Sequence, residues 1–348
     1  MKLPKLKIRN FETDYPVIQA GMGVRVGDST LASATINLGG WGTIASVGLG
    51  DIEKSKVDFV NESNRVLVEE IKRAREMTNG KGPLGINVMV ALSNYGSIIK
   101  AAVEEGIDFI LSGAGLPIAL PSHVGDADVA LIPIISGGRA LKIVLSSWKR
   151  KFNRQPDAII VEGPLCGGHL GFSYDQLDDP DSCSLEILYK EVKEVMVQFD
   201  CDVPILAAGE VCSRADVEKF IKMGYDGVQV GTYFIATEEA GMDTKSKQVY
   251  VDATPEDVVV VHSPVGLPVR VLNSALVKRV MAGNREKFGC PYRCLRTCNP
   301  AKVPFCIAKA LLSAWAGDVD NAIYMTGCNV GPIDKIIPIK EFFDTLAD

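Results

Sequence analysis

This sequence contains little histidine and no long hydrophobic run. Only three of its 348 residues are histidine, so each is a candidate for chemistry that needs a neutral base near pH 7. No stretch approaches the roughly 18 to 20 consecutive apolar residues that cross a bilayer, and the first segment, MKLPKLKIRNFETDYP, has no apolar signal core. We therefore predict a cytoplasmic protein with no membrane partner.

Positive charge is also in deficit. Lys and Arg total 37 against 43 Asp and Glu, which gives a formal net charge of −6. This balance argues against nucleic acid as a partner, so a small-molecule substrate is expected. The composition, 47% hydrophobic and 23% charged, is that of a globular chain with a sizeable core. A homodimer is left open.

Short apolar segments alternate with helical patterns up to about residue 240. The segments are apolar throughout, as strands buried on both faces of a parallel sheet are. Eight such repeats predict an α/β fold, a (β/α)8 TIM barrel over residues 1–240, with an open doubly wound sheet as the alternative. Residues 241–348 lack this rhythm and are predicted to form a C-terminal appendix packed on the barrel. The predicted strands are 17–21, 41–46, 84–90, 109–115, 130–136, 158–164, 204–210 and 227–232.

Glycine or small polar residues follow almost every predicted strand, as at the ligand-binding face of a barrel. The segment IQAGMGVRVG resembles a dinucleotide fingerprint, but its third glycine, Gly27, comes one residue late. The ends of strands 7 and 8 commonly bind phosphate in barrels. Gly209, Gly231 and Thr232 lie at these ends, and the alternative is two tight turns that need glycine.

The segment EGPLCGGHLG places His169 at the end of strand 6. Two glycines before it and its position at a strand end favour a catalytic base over a structural histidine. His123 could also face this site, whereas His262 lies in the appendix and is expected to bond only locally. The acidic segment GFSYDQLDDPDSC after His169 is either a lid or a disordered surface loop.

Four of the nine cysteines form a dense pattern, C-x3-C-x3-C-x7-C, within residues 290–306. In a cytoplasmic protein they are expected to be reduced thiols or metal ligands. If the segment from Pro291 is helical, three of them share one face. The set could ligate an iron–sulfur cluster or zinc, and the alternative is a group of buried thiols. It comprises Cys290, Cys294, Cys298 and Cys306.

Five motifs, IQAGMG, GINVMV, GGHLG, AAGEV and VQVGT, occur in this order at the predicted strand ends. On these motifs, residues 15–240 resemble the nitronate monooxygenase (2-nitropropane dioxygenase-like) flavoproteins. These are FMN-dependent (β/α)8 barrels, and their superfamily includes the FMN-containing enoyl-acyl-carrier-protein reductases. The resemblance implies FMN as cofactor and His169 as the residue that deprotonates or orients the substrate.

The resemblance also implies a set of cofactor-binding residues. Those after the first strand would lie along the isoalloxazine, Asn87 would bond the flavin edge, and the later glycines with Gln229 and Thr232 would hold ribityl and phosphate. The full predicted set is Ala20, Gly21, Met22, Gly23, Asn87, Glu162, Gly167, Gly168, Gly209, Gln229, Val230, Gly231 and Thr232.

Two departures from the family pattern bear on the reaction. The loop before Gly-Gly-His usually reads Gln-Gly-x-Glu-Ala, but here it begins with Glu162, and Glu210 stands where a second glycine is common. An ionised carboxylate at Glu162 would disfavour an anionic reduced flavin. Oxidation of a nitronate or nitroalkane with oxygen is the function expected first. An NAD(P)H-dependent enoyl-thioester reductase and a non-enzymatic flavin-binding barrel are the alternatives.

Overall fold

Residues 1–290 and 292–347 are described by a computed structural model of the chain. Strands are short and lie mostly where continuous apolar runs occur. They are β1 (Leu6–Ile8), β2 (Phe11–Thr13), β3 (Val17–Gln19), β4 (Gly42–Ala45), β5 (Leu84–Met89), β6 (Phe109–Gly113), β7 (Ala130–Ile135), β8 (Ile159–Glu162), β9 (Gly168–His169), β10 (Ile205–Ala208), β11 (Gly227–Val230), β12 (Val258–His262) and β13 (Pro268–Leu272).

Helices follow most of these strands, and side-chain caps fix where several begin. Asp28 accepts from the N–H groups of Thr30 and Leu31, and Ser213 forms a capping box with Asp216. The helices are α1 (Ser29–Asn37), α2 (Ile52–Val57), α3 (Phe59–Met77), α4 (Tyr95–Glu104), α5 (Leu120–Val124), α6 (Gly138–Phe152), α7 (Tyr174–Asp178), α8 (Leu185–Gln198), α9 (Arg214–Met223), α10 (Thr232–Ile235), α11 (Thr244–Val251), α12 (Ala275–Met281), α13 (Ile307–Ala316) and α14 (Ile339–Leu346).

Eight parallel strands form one sheet in the order β3-β11-β10-β8-β7-β6-β5-β4. The sheet closes where Trp41, just before β4, pairs with Ile18 of β3. The Trp41 N–H donates to Val17, and the Trp41 carbonyl accepts from Gln19, both at 2.9 Å. The predicted TIM barrel is thereby confirmed, and the open doubly wound sheet is wrong. All eight predicted strands are present, each trimmed by one to three residues at its ends.

Burial explains why the barrel strands are apolar throughout. Every residue of β4, β6, β7, β10 and β11 is buried, because helices cover one face and the barrel interior fills the other. The antiparallel hairpin β1–β2 lies at the amino ends of the strands, where Thr13 accepts from the Trp41 indole N–H at 2.9 Å. The opposite, carboxyl face is left for the C-terminal residues.

The C-terminal residues contribute a second, antiparallel sheet. Its order is β12-β13-β9, so the two-residue strand that carries His169 pairs with β13 from residues 241–348. The hydrophobic core likewise combines barrel residues with Tyr324, Phe342 and Phe343. The boundary at residue 240 remains a prediction.

Two local predictions from the sequence are wrong. The described residues from 290 to 298 contain no helix, so the cysteines there do not share a helix face; Pro291 lies outside the described residues. The segment after His169 is not a disordered loop, because it forms α7, capped by Ser173, and a 3-10 turn over Pro180–Cys183; the alternative, a lid, stays a prediction. No helix among the described residues is long and apolar enough to cross a membrane.

Candidate active site

A cavity opens at the carboxyl ends of the barrel strands. It brings together residues that follow β3, β5, β8, β10 and β11, as the sequence predicts for a barrel. The predicted cofactor-binding residues that line it are Ala20, Gly21, Met22, Gly23, Asn87, Glu162, Gly167, Gly168, Gly209, Gln229, Gly231 and Thr232, and His169 lines it as well.

Val230 is the predicted residue that does not line this cavity. Its side chain is fully buried in the core, and its carbonyl accepts from the Ala20 N–H at 2.8 Å. Successive side chains of a strand point to opposite faces, and Gln229 points into the cavity. Because side chains alternate along the strand, Val230 points away from the cavity.

Several glycines of the cavity are required by protein packing. A Cβ on Gly21 would lie 2.1 Å from Asn87 Cβ, and one on Gly23 would lie 2.0 Å from a methyl of Val47. A Cβ on Gly167 would meet the backbone between Thr326 and Gly327 at 2.5 Å. These close approaches let the strand ends and the C-terminal residues pack around the cavity without side chains filling it.

Hydrogen-bonding groups in the cavity are partly unused. Gln229 Oε1 is buried and has no hydrogen-bond partner. The Thr232 hydroxyl accepts from the Gly327 N–H at 2.9 Å, so its own proton remains available to donate. A buried polar atom without a partner is costly, which indicates that a ligand with a donor group completes this site.

His169 is held by a residue far along the chain. Its Nε2 lies 2.7 Å from Ser263 Oγ, and that oxygen also accepts from the Val265 N–H at 3.2 Å. This second bond leaves the Ser263 hydroxyl proton for Nε2, which favours the tautomer protonated on Nδ1. Burial lowers the pKa of His169 to about 4, so the imidazole is neutral at pH 7.

The other two histidines lie outside the cavity. His123 is on α5 with its ring edge-on to Tyr95 at 5.6 Å between centroids, so the expectation that it could face the site is wrong. His262 is exposed at the end of β12. Glu210 does line the cavity and forms an ion pair with Lys219 at 3.1 Å.

The loop after β8 is clamped from the C-terminal side. Arg270 of β13 is 3% exposed, and its Nη1 donates to the carbonyls of Pro164 and Cys166, both at 2.6 Å. The Cys166 thiol donates to the Ala208 carbonyl at 2.7 Å, and burial raises the pKa of that thiol. Cys166 is therefore a protonated structural thiol, and Arg270 fixes the path of the chain towards His169.

Glu162 is a carboxyl group at the cavity wall, where the family pattern has an amide. Burial raises its pKa to about 7 from an ordinary 4.5. At neutral pH about half of the molecules therefore carry a proton on this side chain. The site thus holds one group, Glu162, that can give up a proton at neutral pH, and one neutral ring, His169.

The raised pKa of Glu162 predicts a specific pH dependence of stability. Between about pH 4.5 and 7 the folded carboxyl keeps a proton that the unfolded one loses, so the free energy of unfolding should fall by about 3 kcal/mol and then level off. In Glu162→Gln, the difference between the free energies of unfolding at about pH 5 and about pH 8, measured by urea denaturation, should lose the contribution of this carboxyl. Glu194→Gln, an exposed control on α8, should leave it unchanged. An unaltered pH dependence in Glu162→Gln would contradict the assignment.

The far wall of the cavity is apolar and comes from residues that sequence reasoning did not select. Among the described residues that line the cavity there is no Lys or Arg. The sequence gives only a weak indication of this wall, because the apolar pattern of α13 is that of any buried helix. The apolar wall consists of Val265, Leu295, Ile307, Leu311, Ile323 and Met325.

All four clustered cysteines line a second cavity, of about 500 Å³. Cys294, Leu295 and Ile307 line both cavities, so the two adjoin. Within the described part of the chain, no group of three or more His, Cys, Asp or Glu is arranged to hold a metal ion, so this finding supports neither the predicted zinc nor the predicted iron–sulfur cluster. Burial raises the pKa of Cys294 to about 12, with Cys306 and Cys290 adding to the shift.

Comparison with known proteins agrees with this geometry. A family model described as nitronate monooxygenase matches residues 5–348. The chain belongs to the nitronate monooxygenase family. Its members and relatives are oxidoreductases, and this chain is therefore an enzyme of that class rather than a non-catalytic barrel.

Curated relatives of this family member carry two kinds of name. The Mycobacterium tuberculosis "(3aS,4S,5R,7aS)-5-hydroxy-7a-methyl-1-oxo-octahydro-1H-indene-4-carboxyl-CoA dehydrogenase" is 26% identical over 79% of this chain and 67% of its own length. Its Rhodococcus jostii counterpart is 27% identical over 76% of this chain and 64% of its own length, so the matches span about two thirds of these dehydrogenases. A probable nitronate monooxygenase of Staphylococcus saprophyticus is 22% identical over 80% and 81%.

Solved structures share the fold of this family member. FabK from Thermotoga maritima superposes with a TM-score of 0.74 at 23% identity, over 96% of this chain and 92% of its own. Nitroalkane oxidase from Streptomyces ansochromogenes gives 0.73 at 19% identity, over 96% and 95%. These likenesses support the barrel with its C-terminal residues as one architecture.

Proposed function

We propose that this family member binds FMN in the cavity and reduces the carbon–carbon double bond of an apolar enoyl thioester with NAD(P)H. The observation that carries the proposal is the cavity itself. One side is glycine-rich backbone with unused hydrogen-bonding groups, and the other is an uncharged apolar wall. A flat cofactor with a phosphate suits the first side, and an acyl group suits the second.

The residues present fit FMN by their chemistry. Gln229 offers a buried carbonyl oxygen without a partner, Thr232 offers a hydroxyl proton at the end of β11, and Gly209 bares the backbone with φ +108°. We assign these residues, with Asn87 and Gly231, to holding FMN. When bound, FMN supplies hydride transfer.

Two residues at the cavity wall, His169 and Glu162, orient the substrate and supply a proton to it. His169, kept neutral by burial and bonded through Nε2 to Ser263, would present Nδ1–H as a donor for the thioester carbonyl oxygen. Glu162, with a pKa of about 7, holds a proton on its carboxyl and gives it to the substrate carbon. The apolar wall binds the acyl group and excludes water, which strengthens both interactions.

Two lines of support favour a thioester. The absence of Lys and Arg from the described lining suits an uncharged reacting group better than a nitronate anion. In addition, the two relatives named as carboxyl-CoA dehydrogenases are named for an acyl thioester, whose ring system carries a hydroxyl and an oxo group.

Anaerobic reduction of the bound flavin tests the reaction. NADH or NADPH should bleach its visible absorption, and an enoyl thioester should restore it. Leu311→Asn should raise KM for a long-chain enoyl thioester about tenfold, since a buried leucine contributes roughly 1.5–3 kcal/mol. Leu312→Asn, on the same helix and outside the cavity, is the matched control. Restoration of colour by oxygen alone, with no response to any enoyl thioester, would rule out the proposal.

Oxidation of a nitronate with oxygen is the second candidate, favoured by the match to the family model over residues 5–348. In the same anaerobic assay, propionate 3-nitronate would bleach the flavin, whereas NADH and NADPH would not. The two candidates therefore predict opposite responses to the same pair of reagents.

A further inference from the structure

The cavity enclosed by the four clustered cysteines has no part in the proposed reaction. Cys290, Cys294, Cys298 and Cys306 are all free thiols, and all four line it. Each is partly buried, as Cys328 is, whereas Cys166, Cys183, Cys201 and Cys212 are buried. Four thiols around one space are an unusual concentration of soft metal ligands.

The second cavity suits a cluster of several metal ions better than a single ion. Its volume is about 500 Å³, and no described group of side chains converges to hold a single metal ion. In an iron–sulfur cluster each thiolate binds a different iron, so the four sulfur atoms stay apart around a larger body. A four-iron cluster therefore does not require the convergence on one ion that zinc requires.

The segment that carries the cysteines is rich in cations, and one of them, Arg293, lines the cavity. The chain as a whole has a net charge of −6, yet residues 285–309 carry six cations and one acid. A four-iron cluster with four thiolates is an anion, which such a surplus of cations stabilises. The cations are Arg285, Lys287, Arg293, Arg296, Lys302 and Lys309, and the acid is Glu286.

The cysteine segment is fixed to the ligand face of the barrel. Leu295 pairs with Leu92 in an antiparallel bridge, the Cys294 carbonyl accepts from Ser93 at 2.9 Å, and the Arg296 N–H donates to Ala91 at 2.9 Å. This places the segment directly after β5, the strand that carries Asn87 of the first cavity. Cys306 is the N-cap residue of α13, whose next residue, Ile307, lines both cavities.

We propose that Cys290, Cys294, Cys298 and Cys306 ligate a [4Fe–4S] cluster in the second cavity, separated from the first by the wall of Cys294, Leu295 and Ile307. Binding replaces four thiol protons by bonds to iron, which overcomes the cost of ionising half-buried thiols. The site is independent of which substrate the first cavity takes.

Iron and sulfide analysis of the full-length protein, purified and reconstituted without oxygen, tests the proposal. We expect about four iron and four acid-labile sulfide per chain, and a paramagnetic signal after reduction by dithionite. The double variant Cys290→Ala/Cys298→Ala should lose both and keep its flavin, because these two residues line only the second cavity. Cys201→Ala, a buried thiol elsewhere, should keep both.

Wild-type protein that holds neither iron nor sulfide after reconstitution, or that holds zinc alone, would overturn the proposal. So would a double variant with unchanged iron content. If the double variant does not fold, the wild-type iron content and its signal decide the question alone. Wild-type protein with the cluster and without flavin would refute the proposed function and support the cluster.

Discussion

Replacing His169 by alanine is expected to lower kcat by about 100- to 10,000-fold, the usual loss when a positioned proton-transfer or hydrogen-bonding group is removed. The imidazole lines the cavity and is fixed by Ser263 at 2.7 Å, so its donor is aimed before substrate arrives. Flavin content should not change, because the side chains assigned to FMN, Asn87, Gln229 and Thr232, come from other strand ends. Steady-state kinetics and flavin absorbance, measured on the same preparation, separate the two effects.

A matched control and a pH profile sharpen this test. His262→Ala removes an exposed imidazole from β12 and should leave kcat unchanged. Because the pKa of His169 is about 4, this ring should add no titration to kcat between about pH 5 and 8, and a titration near pH 7 would belong to Glu162. Normal turnover by His169→Ala would make this residue a structural one, with Ser263 as its buried partner.

Replacing Arg270 by methionine is expected to lower the free energy of unfolding by about 3–5 kcal/mol. The guanidinium is 3% exposed and donates to two carbonyls at 2.6 Å, which methionine would leave without a donor in the interior. The loop from Pro164 to His169 would lose its clamp, so kcat should fall as well. Urea denaturation and steady-state kinetics give the two quantities.

Two further variants show whether charge or geometry is responsible. Arg270→Lys keeps the cation but presents a single ammonium in place of the planar guanidinium, so it should recover only part of the stability. Arg73→Met removes an exposed arginine from α3 and should change the free energy of unfolding by no more than about 0.5 kcal/mol. An Arg270→Met protein as stable as Arg73→Met would contradict the clamp.

The barrel was predictable because its strands are buried on both faces. Such strands read as unbroken apolar runs, as in Ala130–Ile135, and each is bounded by glycine or a cap. The position of the ligand-binding face could be predicted from the glycine and small polar residues at the ends of those runs. The prediction that Val230 binds the cofactor rests on the whole strand-end motif. Alternation along the strand allows only one of two neighbouring side chains to face the cavity, and that side chain is Gln229.

The partners of the site residues could not be predicted from the sequence. Ser263 and Arg270 reach the His169 loop only through the register of β9 against β13, and no periodicity encodes that pairing. The apolar wall was missed for a similar reason, since Ile307 and Leu311 fit a buried helix equally well. The cysteines were visible, but their shared cavity depends on bridges such as Leu92 to Leu295.

The pairing of β9 with β13 also sets the order in which this protein can mature. The last barrel strand ends at Val230. The hydroxyl that bonds His169 belongs to Ser263, which follows that strand and comes 94 residues after His169 in the chain. Contacts over such separations form late, because the chain must first close a long loop. During synthesis from the N-terminus, all eight barrel strands therefore emerge before the residues that complete the active site.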